Sequence, residues 1–389
     1  MKVTIFSNLD ELLNEYPAIC NVTAGADVFR SFPWFQNLAA TSLEKNHQLR
    51  IYAVRSNKSK DLLPSMLPMQ HAQNDVSIAP YTLFALANYY SPVFGPIIDT
   101  QCEDVPQIVF ALVNAICSDE PGWDVVDFHP LDSDGLISEQ LKSAFTKLHW
   151  SMQPYFCFGN WYLKVNHRSY NEYFRGLPSV IRKNVPYMKR KLDKVARLKM
   201  EIITNNERLD WAIGAYEMIY NNSWRIAEGY PKFIRGLIYT AAEHGWLRLG
   251  LLHVDDEPAA AQLWLVNGPV ASIYKVCYAE KFSKWAVGNA LTAHLLEHVI
   301  DIDKVQEVDF LSGDDFYKAN WMSDRRERWG IRAFNPNTIK GRLAGVRHIG
   351  AQALKKTTQR VWQTPGGIAA YVKPFLGLLF GKDGDRTPH

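Results

Sequence analysis

The stretch from Trp246 to Leu311 constrains this chain most. Trp246 to Val254 reads as a strand, and Asp255-Asp256-Glu257-Pro258 turns it. Ala259 to Val266 is a second strand, Asn267-Gly268-Pro269 a hairpin-type turn, and Val270 to Tyr278 a third strand. A short loop then reaches Gly288. Asn289 to Ile302 has helical spacing through Leu291, Leu295, Leu296 and Val299, and Val305 to Leu311 is a fourth strand. An antiparallel meander followed by a helical crossover to a further strand predicts a mixed α+β sheet.

The loop before that helix carries the chemistry. Trp285-Ala286-Val287-Gly288-Asn289-Ala290 opens the helix with mostly small residues. A helix N-terminus presents unpaired N–H groups and a positive dipole end, so a pyrophosphate could rest on it. Gly and Asn at this place also serve as an ordinary cap, and both readings stand.

Upstream, Leu49 to Val54 and Leu62 to Met69 predict a hairpin across a polar turn at Ser56 to Asp61. Tyr89 to Ile98 reads as a rigid loop, Val105 to Ser118 as a helix, and Trp123 to Phe128 as a strand. Trp161 to Val165 begins a second series. Ser169 to Arg197 then reads as a basic helix broken at Pro186, followed by helices Asn206 to Asn222 and Pro231 to Gly245. No internal repeat appears at solenoid periods, although a duplication at domain scale stays open.

Composition excludes several classes. The 389 residues carry 43 Lys and Arg against 40 Asp and Glu, which argues against a surface wholly committed to DNA or other nucleic acid. Cys20, Cys102, Cys117, Cys157 and Cys277 are widely spaced, with no Cys-x-x-Cys pair, so they predict free thiols rather than a metal site. His294 and His298 stand at i and i+4 but lack a third ligand, so no metal is expected. The N-terminus has no apolar signal core and no run spans a bilayer, which predicts a cytoplasmic protein.

The strand, small-residue loop, helix and strand resemble the core of the GNAT acyltransferases. Their phosphate loop has the form Gln/Arg-x-x-Gly-x-Gly/Ala; Gly288 and Ala290 match it, while Trp285 stands where Gln or Arg is usual. Asp309-Phe310-Leu311-Ser312-Gly313-Asp314, then Tyr317-Lys318 and Trp321, resemble the cellulose-biosynthesis-associated (CelD-like) branch. So do Phe32-Pro33-Trp34-Phe35, Tyr90-Ser91-Pro92 with Gly95-Pro96, the Arg182 helix and Ala260-Ala261-Gln262-Leu263-Trp264. The likeness covers about residues 30–335 and extends to the Fem-type transferases, which place two GNAT-like domains in one chain. It implies two tandem GNAT-like domains with mainly antiparallel sheets: residues 1–160, and 161–339 with the acyl-CoA site, followed by a tail at 340–389.

The resemblance assigns roles. Acyl-CoA, with acetyl-CoA first, is the implied co-substrate. Trp285, Val287, Gly288, Asn289, Ala290 and Lys318 are expected around its phosphates, with pairing to Asp309 the alternative for Lys318, and the backbone of Val276 and Cys277 at the thioester carbonyl. Tyr317 is the candidate general acid for the leaving thiolate; packing beside Trp321 is its alternative role. Asp309 and Asp315 are candidate bases, with helix capping the alternative for Asp314 and Asp315. From the residues themselves, Arg182, Trp224, Arg225 and Lys275 are candidate acceptor contacts, with a solvated helix face the alternative for Arg182 and core packing the alternative for Trp224. The basic helix also admits an acyl-carrier protein or tRNA as partner.

Lys340 to His389 holds nine Lys or Arg and two Asp, a net of +7, whereas the rest holds 34 basic and 38 acidic residues. Leu343, Val346, Ile349, Ala353 and Leu354 follow helical spacing there. A basic amphipathic helix with an apolar tail predicts either peripheral contact with an anionic inner membrane face or a helix packed on the body. The leading expectation is acyl transfer from acyl-CoA to an amine or hydroxyl of a small-molecule, glycan or lipid acceptor in polysaccharide or lipid-linked glycan synthesis. The rivals are a Fem-like aminoacyl-tRNA-dependent transferase and a non-catalytic GNAT-fold module in a polysaccharide assembly complex.

Overall fold

A computed structural model describes residues 1–21, 27–55, 64–73, 79–98, 104–120, 122–194 and 196–350. The turn expected at Ser56 to Asp61, Cys102 and the tail beyond residue 350 lie outside them. The strands are β1 (Val3–Phe6), β2 (His47–Val54), β3 (Ser65–Ala72), β4 (Thr82–Ala85), β5 (Val125–Asp132) and β6 (Ser151–Lys164). They continue as β7 (Leu198–Ile203), β8 (Leu247–Val254), β9 (Glu257–Asn267), β10 (Val270–Tyr278), β11 (Glu307–Ser312) and β12 (Asp324–Phe334). The helices are α1 (Leu9–Glu15), α2 (Phe32–Ser42), α3 (Val105–Cys117), α4 (Leu136–Lys147), α5 (Tyr170–Gly176), α6 (Ser179–Asp193), α7 (Leu209–Asn221), α8 (Pro231–Glu243), α9 (Val287–Asp301) and α10 (Phe316–Ala319). A further helix covers residues 339–350.

Turn chemistry sets the meander of the second half. Asp255 and Asp256 take φ of 49° and 68°, the paired left-handed conformation of a tight hairpin, and join β8 to β9. Gly268, at φ 55°, turns β9 into β10. Helix α9 then crosses over, and β11 pairs parallel to β10 at Val270–Ser272 against Glu307–Asp309. The first half repeats this plan: β1 to β4 form an antiparallel meander, and β5 pairs parallel to β4 after α3.

The two halves merge into one 12-stranded sheet of order β1-β2-β3-β4-β5-β12-β6-β11-β10-β9-β8-β7. The chain therefore exchanges strands at the centre. β6 follows β5 in sequence but pairs with β11, while β12 follows β11 but pairs with β5. β6 and β12 pair with each other along their whole shared length. Residue 160 falls inside β6, so the two halves share this strand pair rather than a linker. Both halves are mixed α+β with helices against the sheet, the tandem GNAT-like architecture.

The basic helical region departs from expectation. Its break lies at Leu177-Pro178, between α5 and α6, and α6 runs on through Pro186. Pro178 stands at the N-cap of α6, where its missing N–H is no loss. Strand β12 carries Arg326, Arg328 and Arg332 among its inward positions, which disguises it as a polar segment.

A buried carboxylate pins the exchange. Asp309 is 4% exposed, and its Oδ1 accepts from Asn160 Nδ2 of β6 at 2.5 Å and from the Leu311 N–H at 2.7 Å. Its Oδ2 accepts from Arg326 of β12, which also donates to Glu307 at 2.7 Å and to Asn160 Oδ1 at 2.7 Å. Removing one partner leaves a buried charge uncompensated. Arg326→Ala is expected to lower the stability measured by urea unfolding by about 3 kcal/mol. A loss below about 1 kcal/mol would mean that this network does not hold the strands together.

Candidate active site

The parallel pairing of β10 and β11 stops at Ser272 and Asp309, and the strands part beyond it. Each strand has a local cause. On β10 the register against β9 shifts between Ile273 and Lys275, leaving Tyr274 as a bulge. On β11, Leu311 takes φ 54° and Gly313 φ 106°, and the register against β6 shifts between Asp309 and Ser312. A β-branched or bulky residue held at positive φ is strained, a condition common at sites of chemistry.

The resulting cleft, about 160 Å³, is lined by Tyr89, Tyr90, Arg225, Lys275, Val276, Asp315, Tyr317 and Lys318 among others. Arg225 spans it. Its Nε donates to the Val276 carbonyl at 3.2 Å, its charge acts to lower the pKa of Tyr317, and it lies 5.2 Å from the Trp224 ring centroid. Because the Val276 carbonyl faces Arg225, its N–H points to the same open side of the extended strand, and Cys277 faces β9 by alternation. The Cys277 thiol is buried, donates weakly to the Ala261 carbonyl and is pushed up to about 12 by desolvation, so it is not a nucleophile.

Tyr317 stands on α10 at the cleft wall. Desolvation pushes its hydroxyl up to about 12, against the lowering effect of Arg225. Its ring meets Phe310 edge-on at 5.6 Å rather than Trp321, the neighbour expected from the spacing. Asp315 stands at the N-cap of α10 without making a cap hydrogen bond, and its carboxylate lies 3.6 Å from Lys318 Nζ. Asp314 instead pairs with Arg325 at 2.6 Å outside the cleft. Lys318 is 4% exposed and donates to the carbonyls of Phe310, Ser312 and Gly313 at 3.3, 2.5 and 3.4 Å, so it fastens the loop that carries Tyr317. Its pKa is lowered by burial. Asp309 faces a different cavity, with both oxygens engaged in the central network.

Helix α9 follows β10, and its start lies against Tyr278 at the end of that strand, two residues beyond the cleft residue Val276. Ala286 at the helix N-cap is left-handed, with φ 53°, and no side chain caps the first-turn N–H groups of Val287, Gly288 and Asn289, while the Ala290 N–H donates to the Ala286 carbonyl at 3.1 Å. Gln262, fully buried in β9, fixes the turn from beneath by donating to the Gly288 carbonyl at 2.9 Å and to Thr292 Oγ1 at 2.8 Å. A Cβ on Gly288 would lie 3.2 Å from the Tyr278 ring. Trp285 ends the preceding turn, with Lys191 of α6 at 5.8 Å and Lys284 at 5.4 Å from its ring. The basic helix thus brings positive charge to an uncapped helix start, an arrangement suited to a phosphate-bearing ligand. Arg182 is exposed about two and a half turns earlier on α6 and does not join Lys191 there.

Several site residues escape sequence reasoning. Glu228, with 11% of its side chain exposed, accepts from Lys275 Nζ at 2.7 Å and from the Tyr90 hydroxyl. The Tyr274 hydroxyl donates to the Tyr90 carbonyl at 2.9 Å. Tyr89 and Tyr90 belong to the first half, so both halves build the cleft. Gln262 carried a signal, a lone amide in an apolar strand; Glu228, in an irregular segment, carried none.

Residues 179–319 match the family model of the acetyltransferase (GNAT) domain. This chain carries a GNAT domain. By that domain it is an acyltransferase. Among solved structures the chain is similar to FemX, at 10% identity and a TM-score of 0.60, over 89% of this chain and 100% of that one. It is also similar to a conserved protein of unknown function from Bacteroides thetaiotaomicron, at 9% identity and a TM-score of 0.51, over 86% and 100% of the two chains. At such identities the likeness shows the fold alone. No curated protein matches the sequence. Among the described residues no group of three or more His, Cys, Asp or Glu could hold a metal ion.

If the start of α9 receives phosphates, Gly288→Val should weaken acyl-CoA binding about tenfold, because its branches crowd both the amides and Tyr278. Calorimetric titration with acetyl-CoA and CoA checks this, and unchanged affinity would place the phosphates elsewhere.

Proposed function

We propose that this chain transfers an acyl group, acetyl first, from acyl-CoA to an amine or hydroxyl acceptor in the cleft between β10 and β11. The observation that carries the reading is the parting of these strands beside the uncapped start of α9. In this reading the phosphates lie on the α9 amides near Lys191, and the pantetheine arm enters the cleft. The Val276 N–H then polarises the thioester carbonyl and stabilises the oxyanion.

The acceptor attacks the carbonyl carbon, the tetrahedral intermediate collapses, and the thiolate leaves. Tyr317, protonated throughout the neutral range, donates a hydrogen bond and then a proton to that thiolate. Arg225 assists by lowering the hydroxyl's proton affinity. Asp315, the exposed carboxylate of the cleft, is the base this reading favours, while Asp309 serves as a positioning residue. The Lys275–Glu228 pair holds Tyr90 at the acceptor side.

The acceptor is assigned to a second cavity of about 590 Å³, within the range of small-molecule sites. Glu44, His47, Gln70, Asn88, His129 and Tyr230 supply polar lining, and among the described residues no Lys or Arg lines it. Tyr89 and Tyr90 stand next in sequence to Asn88 and wall the acyl cleft, so the two cavities adjoin through this loop. A neutral or amine-bearing acceptor suits such a lining better than a phosphorylated one. The resemblance of residues 309–321 to cellulose-biosynthesis-associated acetyltransferases adds a glycan or lipid-linked glycan as the acceptor class. A second reading, aminoacyl transfer from tRNA, draws on the fold shared with FemX and on the basic α6.

Calorimetry with acetyl-CoA, longer acyl-CoAs and CoA tests the donor; silence with all of them would sink the reading. Tight, salt-sensitive binding of charged tRNA would favour the second. Once an acceptor is found by mass spectrometry, Tyr317→Phe should lower kcat about 100-fold with little change in KM. Since Tyr317 titrates at about 12, it stays protonated at lower pH and contributes no alkaline fall in rate below about pH 10. Any such fall should persist in the Phe variant; its disappearance would refute the assigned proton donor.

A further inference from the structure

The helix over residues 339–350 packs inside out. Gly341, Ala344, Gly345 and His348 face the body at helical spacing. Ala344 is 8% exposed against Phe334 and Val125, and the His348 ring stacks on Phe334 at 5.7 Å. The contact admits only small residues: a Cβ on Gly341 would come within 2.5 Å of the Asn335 carbonyl oxygen, and one on Gly345 within 3.4 Å of Phe334. The large residues turn away. Ile339, Leu343 and Val346 are 77%, 65% and 74% exposed, and they follow one another at i, i+4 and i+7.

A soluble helix normally buries such a stripe. Here the core has already been built from the opposite face, so the stripe is not a misplaced core surface. Basic residues border it. At about 100° per residue, Lys340 and Arg347 lie along one edge and Arg342 along the other. Large aliphatic side chains between two rows of cations match a helix lying in the headgroup boundary of an anionic bilayer.

Charge decides among occupants. A second copy would bring the same basic rows face to face. Residues 351–389 of this chain carry six Lys or Arg against two Asp, so they too are repelled from a basic face. Among the described residues no helix is long and apolar enough to cross a membrane, so the contact is lateral. We propose that the outer face of helix 339–350 docks this protein on the surface of an anionic lipid bilayer, with Ile339, Leu343 and Val346 inserted and the flanking cations on the headgroups. The proposal is independent of the acyl-transfer reading, and acyl-CoA affinity reports on that reading separately.

Co-sedimentation of the full chain with vesicles of pure phosphatidylcholine, or with about 30% phosphatidylglycerol added, tests it. Wild-type protein should bind the anionic vesicles, and binding should weaken about tenfold between 0.1 and 0.5 M salt. L343E/V346E should lose binding, and R342E/R347E should lose most of it, while both keep the wild-type circular dichroism spectrum and acyl-CoA affinity. These four positions are exposed, so the variants leave the core intact. No binding to either vesicle overturns the proposal. Equal binding by L343E/V346E overturns it too, since the contact would then lie elsewhere, as in the segment beyond residue 350. Sedimentation velocity showing a wild-type dimer that L343E/V346E dissociates would instead assign the face to a second copy and likewise overturn it.

Discussion

Two buried carboxylates, Asp127 and Asp309, hold the exchanged strands at the centre of the sheet, and the site depends on that hold. Asp309 on β11 binds Asn160 of neighbouring β6 and reaches Arg326 of β12. Asp127 on β5 binds Arg332 of neighbouring β12 at 2.7 Å and reaches the Tyr155 hydroxyl of β6. The two arrangements mirror each other across the β6–β12 pair. Burial works to raise the pKa of Asp127, but His129, Arg332 and Tyr155 bring it below the usual carboxylate value. Desolvating charges is costly, so such networks stabilise only when every oxygen is satisfied. Here they are satisfied by residues from strands far apart in sequence, which fixes the strand order.

The repeated plan leaves the space beyond the parallel strand pair filled in the first half and open in the second. In the first half the chain after β4 fills the corresponding space. The Phe94 N–H donates to the Pro130 carbonyl at 2.6 Å, Ile97 bridges to Met66, and Val93, Phe94, Ile97 and Ile98 are all buried. In the second half, the segment after β10 turns outward through Glu280–Trp285 and leaves the strands parted. The same first-half loop supplies Tyr89 and Tyr90 to that opening. The first half has thus given up its own gap and become a wall of the other.

Legibility followed the local signals. From Trp246 to Leu311 the strands, turns and crossover helix lie where the residues put them, because tight turns and apolar strands are encoded locally. The exchange was not legible, since strand pairing over 150 residues leaves no periodic trace. One trace existed: Val126-Asp127-Phe128 recurs as Val308-Asp309-Phe310, at the same place in each parallel strand pair. Three identical residues are too few to read as a repeat without the fold. Strand β12 was hidden for another reason, because its inward positions are arginines that pair rather than apolar residues that pack. The site divides in the same way. Gly288 and Tyr317 follow from a motif, whereas Glu228 and Tyr89 reach the cleft through tertiary packing.

The placement of Tyr317 shows how structural and chemical roles become inseparable here. Its helix, α10, has four residues and cannot hold its own orientation. Orientation comes from Lys318, whose buried ammonium gathers three carbonyls of the strained turn at Phe310, Ser312 and Gly313. Burial lowers the proton affinity of that ammonium, but the carbonyls and Asp315 favour its charged form. A neutral residue at this position would release the carbonyls and leave Leu311 and Gly313 free to relax from their positive φ values. The cleft would then lose the geometry that sets Tyr317 against Arg225. The orientation of the Tyr317 hydroxyl therefore rests on a lysine that lines the cleft wall without having to touch a ligand.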